Sequence, residues 1–271
     1  MLQHGPGVSK RNARAVVLSL LFVSGAVAVA LEVLWLRWFI ALLGATAPAI
    51  AATLSGVFLG LAGGSVAGAW LARHSANPWR TYGLLELGVA LSALLALAGF
   101  EHADPVVALL RGTGDARGAL AVAGEAVFAA LLVLPATIAM GATLPVLAAG
   151  RGTAGINDLY GANLCGAVAG SLAVPFVLLP WLGVFGSHRC VVILGAGAGA
   201  LAVALANRLA AAMPGDARRE DESPRGLTPA VSATPAATRG ASGDSLRSGL
   251  SFLSGFVLLA LETLFTRLFA Q

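Results

Sequence analysis

Charge is what this chain has least of. Only 11% of its 271 residues are Asp, Glu, Lys or Arg, while 58% are hydrophobic, and the mean hydropathy is +0.84. Soluble domains carry roughly 25% charged residues, so composition excludes an ordinary water-soluble fold. The few charges are also clustered, and none falls between Arg37 and Arg73, between Asp158 and Arg189, or between Arg189 and Arg208. Cysteine is scarce as well. Cys165 and Cys190 fall in different apolar segments at what should be different depths, which argues against a disulfide and for two small packing residues. The four histidines, His4, His74, His102 and His188, are expected in tails or loops and have no ligand spacing, so neither a metal nor a cofactor is expected.

Long apolar runs fill the space that charge leaves empty. A segment of roughly 20 apolar residues crosses a hydrocarbon core as a helix, and only helices or closed barrels satisfy their own backbone in lipid. The expected fold is all-α: a polytopic transmembrane bundle of about seven helices, near 16–40, 47–72, 81–100, 118–149, 158–182, 187–208 and 248–269. The net charge of +4 admits a nucleic-acid partner, but the basic residues follow the membrane instead. With the amino terminus in the cytoplasm, Lys10, Arg11, Arg14, Arg73, Arg80, Arg151, Arg208, Arg218, Arg219, Arg225, Arg239 and Arg247 lie inside, and only Arg111, Arg117 and Arg189 outside. This bias suits a bacterial inner membrane, and an odd number of spans puts the carboxyl terminus on the outer side. The partner so implied is the lipid bilayer, and no nucleic acid.

The first span has a basic start and small residues at Ala26–Ala30, as a cleaved signal peptide would. A second copy of the segment inside the chain argues against cleavage. FVSGAVAVALEVLWLRWF, residues 22–39, aligns with FLSGFVLLALETLFTRLF, residues 252–269, with ten identities in eighteen positions, among them Glu32 with Glu262 and Arg37 with Arg267. Chance apolar similarity does not reproduce both charges. Six spans separate the starts of the copies, so both enter the membrane in the same direction. Parallel six-helix halves joined by a cytoplasmic loop are the plan of major-facilitator transporters. The expected organisation is a tail over 1–15, a six-helix repeat over 16–211, a flexible Pro, Ser and Gly-rich loop over 212–247, and the first helix of a second, truncated repeat over 248–271. On that reading the missing carboxyl-terminal half is itself a partner, and the sequence is expected to be a fragment.

Carboxylates in mid-membrane cost about 2.5–3.5 kcal/mol each on insertion scales. Glu32, Glu86, Glu125 and Glu262 therefore face protein or water, either as a proton or cation relay along a cavity or as polar glue between helices. Glu32 and Arg37 lie about 140° apart around a helix, so a cross-repeat pairing, Glu32 with Arg267 or Arg37 with Glu262, is the expected arrangement for the charges. Gly56, Gly60, Gly64 and Gly68 form a ridge for close helix packing, or for sliding. Pro135, Gly141 and Pro145 are expected to kink or break the fourth span, freeing backbone groups that can line a cavity. Tyr160 and Asn163 offer hydrogen bonds near the start of the fifth. Gly195, Gly197 and Ala200, with Asp216 about 20 residues on, imitate a dinucleotide fingerprint, but a single apolar run surrounds them and no second strand follows.

The segments FVSGAVAVALEVLWLRWF, YGLLEL at Tyr82–Leu87, MGATLP at Met140–Pro145, and LYGANLCGAVAG followed by LLPWLG resemble the membrane region of fused spermidine-synthase-like proteins. That family joins a major-facilitator-like membrane part to an aminopropyltransferase-like domain. The resemblance covers nearly the whole chain outside the 212–248 loop. It implies a transporter-like membrane domain for a small cationic, polyamine-like solute. The soluble residues that bind decarboxylated S-adenosylmethionine and a polyamine do not follow Gln271, so the chain as it stands is not expected to be an aminopropyltransferase. Two other readings remain: an accessory subunit held by membrane-protein partners, and the membrane anchor of such an enzyme.

Overall fold

In a computed structural model of the chain, residues 9–44, 47–111, 119–149 and 153–213 are described. The expected loop beyond 213 and the seventh span, with Glu262 and Arg267, lie outside them. The helices are α1 (Lys10–Leu43), α2 (Ala47–His74), α3 (Pro78–Glu101), α4 (Ala103–Arg111), α5 (Ala119–Ala148), α6 (Thr153–Ala173) and α7 (Leu179–Ala212), with a π-helical turn at Val174–Leu178 between the last two. Among the described residues there is no strand. Five helical segments are long and apolar enough to cross a membrane: Lys10–Leu42, Leu54–His74, Pro78–Glu101, Leu120–Ala148 and the continuous run Gly155–Ala212.

The spans expected at 158–182 and 187–208 thus form one helical run of 58 residues. At 1.5 Å per residue that is about 87 Å, nearly three times a hydrocarbon core of about 30 Å. The run is interrupted at Gly183, whose φ of 64° and ψ of −175° are not helical. Only glycine enters that region readily, and other residues are strained there by about 1–3 kcal/mol. Nothing lies within 4 Å of a methyl group added at Gly183, so Gly183→Ala tests conformation alone. It is expected to destabilise the protein by about 2 kcal/mol in thermal unfolding. Gly197→Ala, in helical backbone with equally open surroundings, should be neutral or mildly stabilising.

Local signals explain the other boundaries. Asn77 caps α3 by accepting from the backbone N–H groups of Trp79 and Arg80, at 3.1 and 3.3 Å, with Pro78 in the first turn where no donor is needed. α5 continues as one helix through Pro135 and Pro145, without a break at either. The nine-residue α4, ADPVVALLR, was not anticipated.

Side-chain and glycine contacts set the helix directions. Leu20 and Ser24 of α1 meet Tyr82 and Glu86 of α3, and Phe39 meets Phe100, so α1 and α3 run parallel. Gly166 and Gly170 of α6 meet Phe22 and Ala26 of α1, again parallel. Gly56, Gly60, Gly64 and Gly68 of α2 meet Ala130, Thr137, Ile138 and Ala142 of α5 in the same order. α3 and α7 are antiparallel, through Gly83 against Gly199 and Glu101 near Arg189. The main helix pairs are α1 with α6, α2 with α5, and α3 with α7, linked by α1 with α7 and α3 with α5. Exchanging α1 with α5, α2 with α6 and α3 with α7 turns this pattern into itself.

Small residues make these seams possible. A methyl group on Gly25 would collide with the Asn163 carbonyl, and one on Gly166 with the Phe22 carbonyl. Backbones this close gain dispersion contacts that lipid cannot supply. Two apolar cores flank the middle. One gathers Trp35, Phe39, Phe100, Val133 and Val191. The other gathers Val17, Leu21, Trp79, Leu147 and Leu209 at the end where α1, α3 and α6 begin. This second end also carries Lys10, Arg11, Arg14, Arg73, Arg80 and Arg208, and is called the basic end below. There Arg14 and Asp158 form an exposed ion pair of 2.5 Å that joins α1 to α6.

Candidate functional site: a cavity lined by carboxylates

Leu20 and Ser24 are one helical turn apart on α1, as are Tyr82 and Glu86 on α3. Because the helices run parallel, the two turns face each other rung for rung. Ser24 Oγ donates to Glu86 Oε1 at 2.5 Å, and the Tyr82 hydroxyl donates to the Leu20 carbonyl at 3.2 Å. All three side chains are buried, with Glu86 2% and Tyr82 0% exposed. Gly199 of α7 backs the cluster, since a methyl group there would stand 3.0 Å from Glu86 Cβ.

Glu86 forms part of the wall of a cavity of about 590 Å³ between α1, α2, α3, α5 and α6. Its inner wall carries Glu32, Glu86 and Val89, and it extends along Gly141–Ala148 and Ile156–Ala167 toward the basic end. Ser65, Asn157 and Tyr160 are exposed at its rim. None of the lining residues is basic. Pro145 has no N–H to offer the Gly141 carbonyl, four residues earlier, which is therefore left for other donors. Ser65 of α2 lies 3.4 Å from that carbonyl while bonding its own Leu61 carbonyl at 3.0 Å.

Glu32, Glu86, Asn163, Tyr160, Gly141 and Pro145 all line this one cavity. Other candidates lie elsewhere. Glu125 is buried near the start of α5, Arg37 is exposed on α1, and neither lines the cavity; Pro135 does not line it either. The cross-repeat pairings with Glu262 and Arg267 fall outside the described residues. Gly56, Gly60, Gly64 and Gly68 form the α2–α5 seam.

Two expectations need correcting. Cys165 and Cys190 are free but exposed on α6 and α7, so they do not pack inside the described bundle. His188 sits within α7 and is fully buried, and neither ring nitrogen has a hydrogen-bond partner. Sequence reasoning placed it in a tail or loop, although position 188 falls within the span expected over 187–208. Ser24, Tyr82 and Ser65 were not singled out as site residues. The i, i+4 spacing of Tyr82 and Glu86 was the available signal.

Set against protein-family models, curated proteins and solved structures, the chain matches none.

Proposed function

We propose that this chain is a transporter-like membrane domain that binds a small cationic solute in the cavity, with Glu32 and Glu86 as the countercharges. The observation carrying the reading is that one cavity of about 590 Å³ holds carboxylates from two different helices and no basic lining residue. That volume lies within the range of about 300–1,000 Å³ usual for small-molecule sites. An intramembrane carboxylate facing a cavity marks a solute or ion path by default.

The architecture supports the same reading. Counting the Gly155–Ala212 run as two passes, divided near Gly183, gives six crossings in the described bundle. Its packing pattern, with three helices exchanging for three of opposite direction, is in keeping with inverted repeats such as those nested in each half of a major-facilitator transporter. The sequence repeat of residues 22–39 at 252–269, which lies outside the described residues, is in keeping with such a plan. The resemblance to the membrane region of spermidine-synthase-like proteins suggests a polyamine as the solute. The positive-inside rule places the basic end in the cytoplasm of a bacterial inner membrane.

The test is uptake of radiolabelled spermidine into proteoliposomes of the purified protein, against a neutral polyether of similar length. Accumulation of spermidine above that in empty vesicles, without accumulation of the polyether, is the expected result. Equal uptake in protein-free vesicles would remove the reading and favour an accessory subunit, which should then copurify with a stoichiometric membrane partner.

A further inference from the structure

We propose that Ser24, Glu86 and Tyr82 form a proton switch between α1 and α3, in which Glu86 exchanges a proton against the cationic solute. The inference rests on the transport reading and supplies its coupling ion. Glu86 has no basic neighbour in the cavity wall, and an isolated carboxylate is costly to keep out of water. Two hydrogen-bonding arrangements serve its two forms. In the first, the one present here, the Ser24 hydroxyl donates to Glu86 Oε1.

In the second, Glu86 takes a proton from cavity water and its new O–H donates to Ser24 Oγ. The Ser24 hydrogen then turns to the Leu21 carbonyl, three residues earlier on its own helix, an ordinary acceptor for a helical serine. Within α1 that carbonyl accepts only the Gly25 N–H and keeps a second lone pair, whereas the Leu20 carbonyl is already filled by the Ser24 N–H and the Tyr82 hydroxyl. The Ser24–Glu86 contact persists in both states, and only hydrogens move. Loss of the proton restores the anion just when a cation in the cavity needs one. Ser24 Oγ and Glu86 Oε1 are in direct hydrogen-bond contact, so a proton gained or lost at Glu86 acts on Ser24 without an intermediary.

Among the described residues, the other titratable groups on the cavity wall are Glu32 of α1 and Tyr160 of α6, and Tyr82 lies one turn before Glu86 on its own helix. The cavity-lining parts of α2 and α5, and α7 around Gly199, contribute none.

Infrared difference spectra of the protein in lipid nanodiscs, recorded across a pH series, test the switch without requiring transport. A carboxylic acid C=O band is expected to grow as pH falls, to vanish in Glu86→Gln, to shift in Ser24→Ala, and to return to its original position in Ser24→Thr. The serine pair carries the test if Glu86→Gln folds poorly. A band unchanged in Glu86→Gln, or one at the same position in Ser24→Ala as in the parent, overturns the switch. Spermidine uptake that persists beside such a result leaves transport standing. A titrating band that depends on Glu86, beside absent uptake, removes transport and keeps the switch.

Discussion

Gly166→Ala is expected to destabilise the bundle by about 3 kcal/mol, the upper part of the usual range for overpacking. The added methyl group would meet the Phe22 carbonyl oxygen, carbon and Cα. These are backbone atoms and have no rotamer to escape into, so α1 and α6 must move apart along the seam that Gly25 and Gly170 share. Gly161→Ala on the same helix is the control, because nothing lies within 4 Å of its added methyl group. Chemical or thermal unfolding in detergent should show a clear loss of stability for Gly166→Ala and little change for Gly161→Ala. Equal behaviour of the two variants would mean that α1 and α6 do not approach backbone to backbone.

Glu32→Gln and Glu86→Gln should each lower spermidine uptake on the order of 30-fold or more, the effect of losing about 2 kcal/mol or more when one partner of a desolvated charge pair is neutralised. Glutamine keeps the shape and some of the hydrogen bonding, including acceptance from Ser24, so the loss isolates the charge. Glu125→Gln is the comparison: it removes another buried carboxylate that does not line the cavity. A fall in uptake as large for Glu125→Gln as for the other two would show that buried charge acts through stability and not through solute binding.

These two predictions draw on features of very different visibility in the sequence. The α2 ridge was legible because four glycines recur at a strict spacing of four. The α1–α6 seam was not, because it is built from Gly25 on one helix and Gly166 and Gly170 on another, and only the tertiary register makes them one surface. Glu32 and Glu86 stood out as carboxylates in apolar surroundings, whose cost demands a reason. Ser24 and Tyr82 cost little alone, and their pairing depends on how far α1 has slid along α3. The proline-rich stretch of α5 was read as a kink or a break, and the helix carries both rings without breaking, with Ser65 beside the carbonyl that Pro145 leaves open. Apolar length located five membrane-length helical segments among the described residues. It was blind to Gly183, where a single residue's backbone interrupts an otherwise continuous helix.

The aromatic core beyond the cavity has an electrical consequence. Trp38 lies between Phe100, at a centroid distance of 5.5 Å, and Phe185, at 4.5 Å, and Phe39 meets the same Phe100 at 4.9 Å. The buried rings of Phe39 and Phe100 exclude water there, whereas the other half of the bundle holds the cavity. A transmembrane voltage is worth about 2.3 kcal/mol per elementary charge per 100 mV, and it falls mainly across the poorly conducting layer. On the proposed transport reading, most of that drop would lie on the far side of Glu86, and a proton entering from the basic end would meet little of the field. Most of the voltage sensitivity would then belong to a step that opens the Trp38, Phe39 and Phe100 packing.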